Sequence, residues 1–306
     1  MIITLPDTTT SKVTKTLVRI RDEAGAVALG RVLTLIIATT IGEEEDVIAA
    51  ANDASREHPM RIIVVSTDSA DADARLDAEI RVGGDAGASE VVVLRAHGDA
   101  ARDQHGLVTG LLLPDAPVVT WWPGECPSRP GETPLGDLAQ RRITDAAASA
   151  DPLARLARLA REYEPGDTDF AWTRLTLWRA QLAAALDQPP YEPVERVEVE
   201  GPPDSPSTVL LAAWLRRQLQ VPVEVRVVGD DATAGLARVV LHRTSGPLTL
   251  ERTEPTIARL TQAGQPTHEL SLPRRTLREC LAEELRRLDP DDVFGDVLRS
   301  GLEPAA

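Results

Sequence analysis

Four nearly continuous apolar stretches dominate the first 122 residues: RVLTLIIATT (31–40), MRIIVVST (60–67), SEVVVLRA (89–96) and APVVTWW (116–122). A strand that is apolar on both sides must be covered on both sides. Such strands, alternating with helical segments, predict a mostly parallel sheet with helices on both faces. The intervening patterns supply the helices. An opening helix is expected from about Thr9 to Ala24, with Val13, Leu17 and Ile20 on one stripe. EEEDVIAAANDASREH (43–58) places acidic residues where a helix N-terminus favours them, and DQHGLVTGLLLPD (103–115) closes at Pro114. LDAEIRV (76–82) alternates apolar and polar residues, as an antiparallel or edge strand does, and RRITDA (141–146) reads as a last short strand.

Two further helices follow. DPLARLARLAREY (151–163) has Asp151 as cap and Pro152 in the first position. In TDFAWTRLTLWRAQLAAAL (168–186), with Asp169 as cap, Trp172, Leu175, Trp178 or Arg179, Leu182 and Leu186 recur at helical spacing. The Pro-rich QPPYEP (188–193) marks a domain boundary. The expected organisation is an N-terminal α/β domain over 1–190, including the Trp/Arg helix, and a smaller C-terminal α/β domain over 191–306. That second domain opens with the strand VERVEVEG (194–201) and a helix capped by Ser205 with Pro206 first. Strands over 221–228, 235–244, 247–253 and 267–273 predict a mixed or antiparallel sheet, and the chain ends in helices from 274 onward.

Charge and residue usage exclude several functions. The formal net charge is −15, with net −9 over 1–150 and −6 over the remainder, so neither half is basic. Phosphate backbones and anionic lipid surfaces would be repelled, which argues against nucleic-acid and membrane partners. No leader-like segment opens MIITLPDTTTSKV, and LTLIIA is too short to span a bilayer, so a cytoplasmic location is expected. Lys12 and Lys15 are the only lysines, which removes Schiff-base chemistry and a phosphate-loop lysine. The two cysteines, Cys126 and Cys280, read as thiols; Cys280 falls on or beside an apolar helix face, and Cys126 in a Pro/Gly loop is the one candidate for redox sensing.

Catalytic signatures are missing as well. No dinucleotide glycine fingerprint, phosphate loop or nucleophile elbow occurs; VGGDAGAS (82–89) spaces its glycines wrongly and fits a turn. The five histidines never fall in a metal-ligand spacing, so no metal and no cofactor are expected. His97 and Asp99 follow the end of a presumed central strand, where α/β folds place ligands, but a hydrogen-bonded loop histidine is the simpler account. GPPDSPS (201–207) could hold a phosphate at a helix N-terminus, although plain capping explains it too. The arginines of ARLARLAR (154–161) read as a solvated face.

The tryptophans remain. Of nine aromatic residues in the chain, Phe170, Trp172 and Trp178 fall within nine positions, flanked by Arg174 and Arg179. Core packing with arginine stems over apolar ground accounts for them. An interface accounts for them too, because tryptophan and arginine are the residues most enriched at binding hot spots. In the pair Trp121–Trp122 a strand would send one ring into the core and the other towards a partner or the second domain.

Several of these segments together resemble the glucose-6-phosphate dehydrogenase assembly protein OpcA family. They are the opening helix leading into RVLTLIIAT, APVVTWWPGECP, RRITDAA, DFAWTRLTLWRAQLAA, VERVEVEG and VLLAAWLRRQL. They span most of the chain in the family's order, and AWTRLTLWR is the most specific. Pro123 departs from the family pattern after the tryptophan pair. Leu177 departs from it where a proline is common, which predicts a less interrupted helix. The resemblance implies a non-catalytic partner of the NADP-dependent dehydrogenase that opens the oxidative pentose phosphate pathway, acting by assembly or allosteric activation. Expected partner contacts are Trp172, Arg174, Trp178 and Arg179, supported by Trp121 and Trp122. The alternative is a sugar-phosphate sensor or enzyme of the same pathway, with arginines clamping the phosphate and His97 or His105 moving protons.

Overall fold

The computed structural model describes residues 1–23, 32–68, 72–83, 90–228 and 235–302, without the side chains of residues 21, 300 and 301. The VGGDAGAS turn lies outside the described residues from position 84 on. The chain forms two compact units that interleave along the sequence. The first comprises Met1–Thr144, Gly166–Thr168 and Leu277–Pro290; the second comprises Asp145–Pro165, Asp169–Thr276 and Asp291–Ala306. The sequence suggests one boundary near residue 190, whereas the chain passes between the units at several points.

The first unit is built on an eight-stranded sheet. Its elements are β1 (Ile2–Leu5), α1 (Thr10–Glu23), β2 (Leu33–Thr40), α2 (Glu44–Ala54), β3 (Met60–Thr67), β4 (Arg75–Val82), β5 (Glu90–His97), α3 (Gln104–Thr109), β6 (Val118–Trp121), β7 (Arg141–Thr144), β8 (Asp167–Asp169) and, from much later in the chain, α8 (Leu277–Glu284). The strand order is β1-β4-β5-β3-β2-β6-β7-β8. The continuous apolar strands are the parallel ones: β2 pairs β3 with Leu33 opposite Met60, β3 pairs β5, β2 pairs β6 and β6 pairs β7. The alternating strand β4 runs antiparallel to β5, and β1 antiparallel to β4. Side chains alternate across the pleat, so Ile36, Ile63, Val65, Val92 and Leu94 pack with Val13 and Leu17 of α1 and Val108 of α3. Helices α2 and α8 pack together, and α2 also contacts β2 and β3.

The second unit holds α4 (Pro152–Glu162), α5 (Phe170–Thr173), α6 (Thr176–Leu186), β9 (Arg196–Gly201), α7 (Pro206–Leu219), β10 (Val223–Val227), β11 (Arg238–His242), β12 (Leu248–Arg252), β13 (Ile257–Thr261), β14 (His268–Ser271) and α9 (Asp292–Gly301). Its six-stranded sheet, β10-β9-β11-β12-β13-β14, is mixed: β9 and β10 are parallel and the other neighbours antiparallel. Val197, Val199, Val239, Leu241, Leu248 and Leu250 form one buried cluster with Leu211 and Leu215 of α7, Trp172, Trp178 and Phe294. The expected caps are in place. The Asp151 carboxylate accepts from the Ala154 N–H at 3.0 Å, and the Ser205 hydroxyl accepts from the Thr208 N–H at 3.2 Å.

The Trp/Arg segment is interrupted after all. Around Arg174 and Leu175 the ladder tightens: the Leu175 N–H reaches the Trp172 carbonyl three residues back, at 3.0 Å, and α6 starts anew at Thr176. The Arg275 guanidinium donates to the Thr173 carbonyl at this break, at 3.2 Å. No proline is needed for the interruption, because a tertiary donor satisfies the carbonyl the tightening releases.

Candidate functional site

The residues singled out by sequence divide between the units. Trp121 and Trp122 belong to the first, at the end of β6. Trp121 is 0% exposed and Trp122 5%, and Trp122 packs in the cluster that holds Val13 and Val108. In the second unit, Trp172 is 1% and Trp178 2% exposed. The Trp172 indole N–H donates to Asp291 at 2.8 Å; its ring lies 5.5 Å from that of Phe294, with the Arg179 guanidinium carbon 3.7 Å from its centre. Arg174 grips Asp145 through two hydrogen bonds of 2.7 and 2.6 Å and lies 5.9 Å from the Phe170 ring centre. All four indoles are therefore interior, and partial exposure belongs to Arg174 and Arg179.

Arg174, Leu175 and Trp178 also form one side of a cavity of about 370 Å³ within the second unit. The start of α7 lines it with Asp204, Ser205 and Ser207, and Leu236 adds an apolar wall. Three more arginines complete it: Arg252 at the end of β12, then Arg274 and Arg275 after β14. Arg252 lies 5.3 Å from the Trp178 ring centre and donates to the Leu236 and Leu272 carbonyls at 3.3 and 3.0 Å, while its Nε is buried without a hydrogen bond. Burial, and after it the charge of Arg274, pulls the Arg252 pKa down to about 10. A low-dielectric wall carrying four guanidinium groups can recognise an anion.

Sequence reasoning flagged the α7 end through GPPDSPS but missed Arg252, Arg274 and Arg275. They stand at a strand end and in a loop, so no short motif joins them. His97 and His105 lie in the first unit and contribute nothing to this cavity. His97 is held between Asp68, 2.6 Å from Nδ1, and Asp77, 3.4 Å from Nε2; its hydrogen bond keeps the Asp68 carboxyl below the ordinary range. The His105 ring is exposed beside the Thr109 hydroxyl, 3.1 Å away. Cys280 is fully buried and Cys126 partly so, both as thiols. Among the described residues no three His, Cys, Asp or Glu side chains are grouped to hold a metal, and no helix is long and apolar enough to cross a membrane.

Comparison with known proteins adds three findings. Among solved structures, a mutant of the 3-ketoreductase KijD10 from Actinomadura kijaniata is similar at 11% identity over 88% of this chain and 94% of its own, with a TM-score of 0.47. An oxidoreductase from Sinorhizobium meliloti is similar at 10% identity over 87% and 86%, with a TM-score of 0.42. Likeness at that level carries no argument about chemistry. No curated protein matches the chain. Family models do match, in order: the N-terminal domain of a glucose-6-phosphate dehydrogenase subunit over residues 51–161 and the C-terminal domain of the same subunit over 165–298. The chain therefore belongs to the OpcA family of glucose-6-phosphate dehydrogenase subunits.

Proposed function

We propose that this protein is a non-catalytic subunit that docks onto glucose-6-phosphate dehydrogenase and stabilises its more active conformation or oligomer. The observation that carries this reading is the ordered match of both subunit domains, over 51–161 and 165–298. A subunit of this kind moves its partner's equilibrium only by the difference between its affinities for the two states. A coupling of about 1–3 kcal/mol corresponds to a shift of roughly 5- to 150-fold.

The proposed docking face on the second unit centres on Arg174 and Arg179, both partly exposed. Trp172 supports Arg179 from beneath, Asp145 and the Phe170 ring hold Arg174, Trp178 packs in the core below them, and Trp121 and Trp122 stiffen the β6 end of the first unit. Light scattering of the eluting peak on a sizing column, with the purified dehydrogenase and increasing amounts of this chain, tests the docking. A peak whose mass equals the sum of both proteins supports it. Separate elution at micromolar concentrations of each rules it out.

A further inference from the structure

Three of the buried arginines face carboxylates, while Arg243 is held by the Pro190 carbonyl and the Gln262 side-chain oxygen. Arg61 pairs with Glu90, Arg141 with Glu284 and Arg142 with Asp167. Arg252 is half-buried and faces no carboxylate among the described residues. Two backbone carbonyls take its terminal nitrogens, its Nε has no acceptor, and it makes no ion pair among the described residues. Its nearest charged influence is another cation, Arg274, which is exposed and also without an ion pair among the described residues. A desolvated cation beside a like charge is costly unless a counter-charge reaches it.

We infer that the cavity enclosed by Arg252, Arg274, Arg275, Trp178 and the start of α7 binds the phosphate group of a small phosphate monoester, of the size of a sugar phosphate. Four guanidinium groups share the wall with one carboxylate, Asp204, although the chain as a whole has a formal charge of −15. Arg174 is already neutralised by Asp145, and among the described residues Arg252 and Arg274 make no ion pair, so the cationic character rests on those two. The first turn of α7 adds its dipole, and the Ser207 N–H has no hydrogen-bond partner among the described residues because Pro206 and the Ser205 cap precede it. A phosphate dianion offers three acceptor oxygens to these donors, where a carboxylate offers two and half the charge. The cavity, at about 370 Å³, exceeds what a bare phosphate fills. Its lining also carries the half-buried rings of Pro152, Pro202 and Pro273, apolar ground for a compact carbon skeleton. This inference does not rest on the dehydrogenase reading, because the isolated chain suffices to test it.

The test is calorimetric titration of the full chain at constant ionic strength with glucose 6-phosphate, inorganic phosphate and glucose. Saturable binding of glucose 6-phosphate, weaker binding of inorganic phosphate and none of glucose is the expected result. Arg274→Gln, an exposed change that leaves folding intact, should weaken the binding by about 5- to 10-fold, while Arg217→Gln at the far end of α7 should not. Absence of saturable binding by either phosphate compound overturns the inference and turns attention to an acidic protein segment as the occupant. Equal affinity in the Arg274→Gln variant overturns it as well.

Discussion

The Arg179 guanidinium carbon stands 3.7 Å from the centre of the Trp172 ring, one of the closest cation–π pairs in the described structure. At its ring edge the Trp172 indole donates to Asp291, whose second oxygen accepts from the Phe294 N–H at 3.0 Å and starts α9. One tryptophan thereby ties α5, α6 and α9 of the second unit together. Trp172→Ala should cost about 3–5 kcal/mol in urea unfolding, as a large buried aromatic does. Asp291→Ala should cost about 1–2 kcal/mol through the lost cap. Near-wild-type stability of Trp172→Ala, coupled with lost dehydrogenase binding, would show that the ring serves a partner and not the core.

The first unit has its own internal lock. Arg141 on β7 and Glu284 on α8 are each 5% exposed, and the Arg141 Nε lies 3.1 Å from the Glu284 carboxylate. Glu284→Ala leaves a buried guanidinium uncompensated and should destabilise the chain by about 3–5 kcal/mol. Replacing both residues by methionine should restore much of that loss. Equal destabilisation in the single and double variants would place the effect in packing and not in charge.

The fold was largely legible where a segment's local pattern and its final environment agree. β3 runs Met60–Thr67, as its apolar run predicts, because a parallel strand covered on both sides needs no polar face. Asp151 and Ser205 cap their helices because a short acceptor before a proline leaves the chain little else to do. Legibility failed where partners decide. β1 (Ile2–Leu5), β8 and β13 were not expected, since such short strands at or near a sheet edge carry too little periodicity. The period of Leu277–Glu284 shows that Cys280 and Leu281 are buried, but not which unit they cover. For the same reason the interleaving of the units was invisible. Arg174, Trp178 and Ser205 stand out in the sequence, but their meeting with Arg252, Arg274 and Arg275 was not legible, because these come together through the fold and not along the chain.

Acid should loosen the first unit through Glu44. Its side chain is 5% exposed and accepts hydrogen bonds from Ser66 at 2.9 Å, Arg95 at 2.9 Å and the Gly42 N–H at 2.8 Å. Burial alone would push this carboxyl up; the Ser66 hydroxyl, its own N–H, Arg95 and Gly42 together hold it below the ordinary range. The unfolded chain then binds a proton more readily than the folded one. The Glu44 contribution is complete above the unfolded pKa of about 4.3 and fades as pH falls through the lower folded value. Glu44→Gln should destabilise by about 1–3 kcal/mol at neutral pH and make unfolding less sensitive to acid. An unchanged acid profile in the variant refutes the assignment.

The central claim is that this chain changes what its partner does. The rate of NADPH formation by the cognate glucose-6-phosphate dehydrogenase, titrated with this chain at fixed substrate, tests it most directly. The account predicts a saturable change in rate or substrate affinity within about 5- to 150-fold, and no turnover by the chain alone. A flat titration at saturating chain, or turnover without the dehydrogenase, contradicts it.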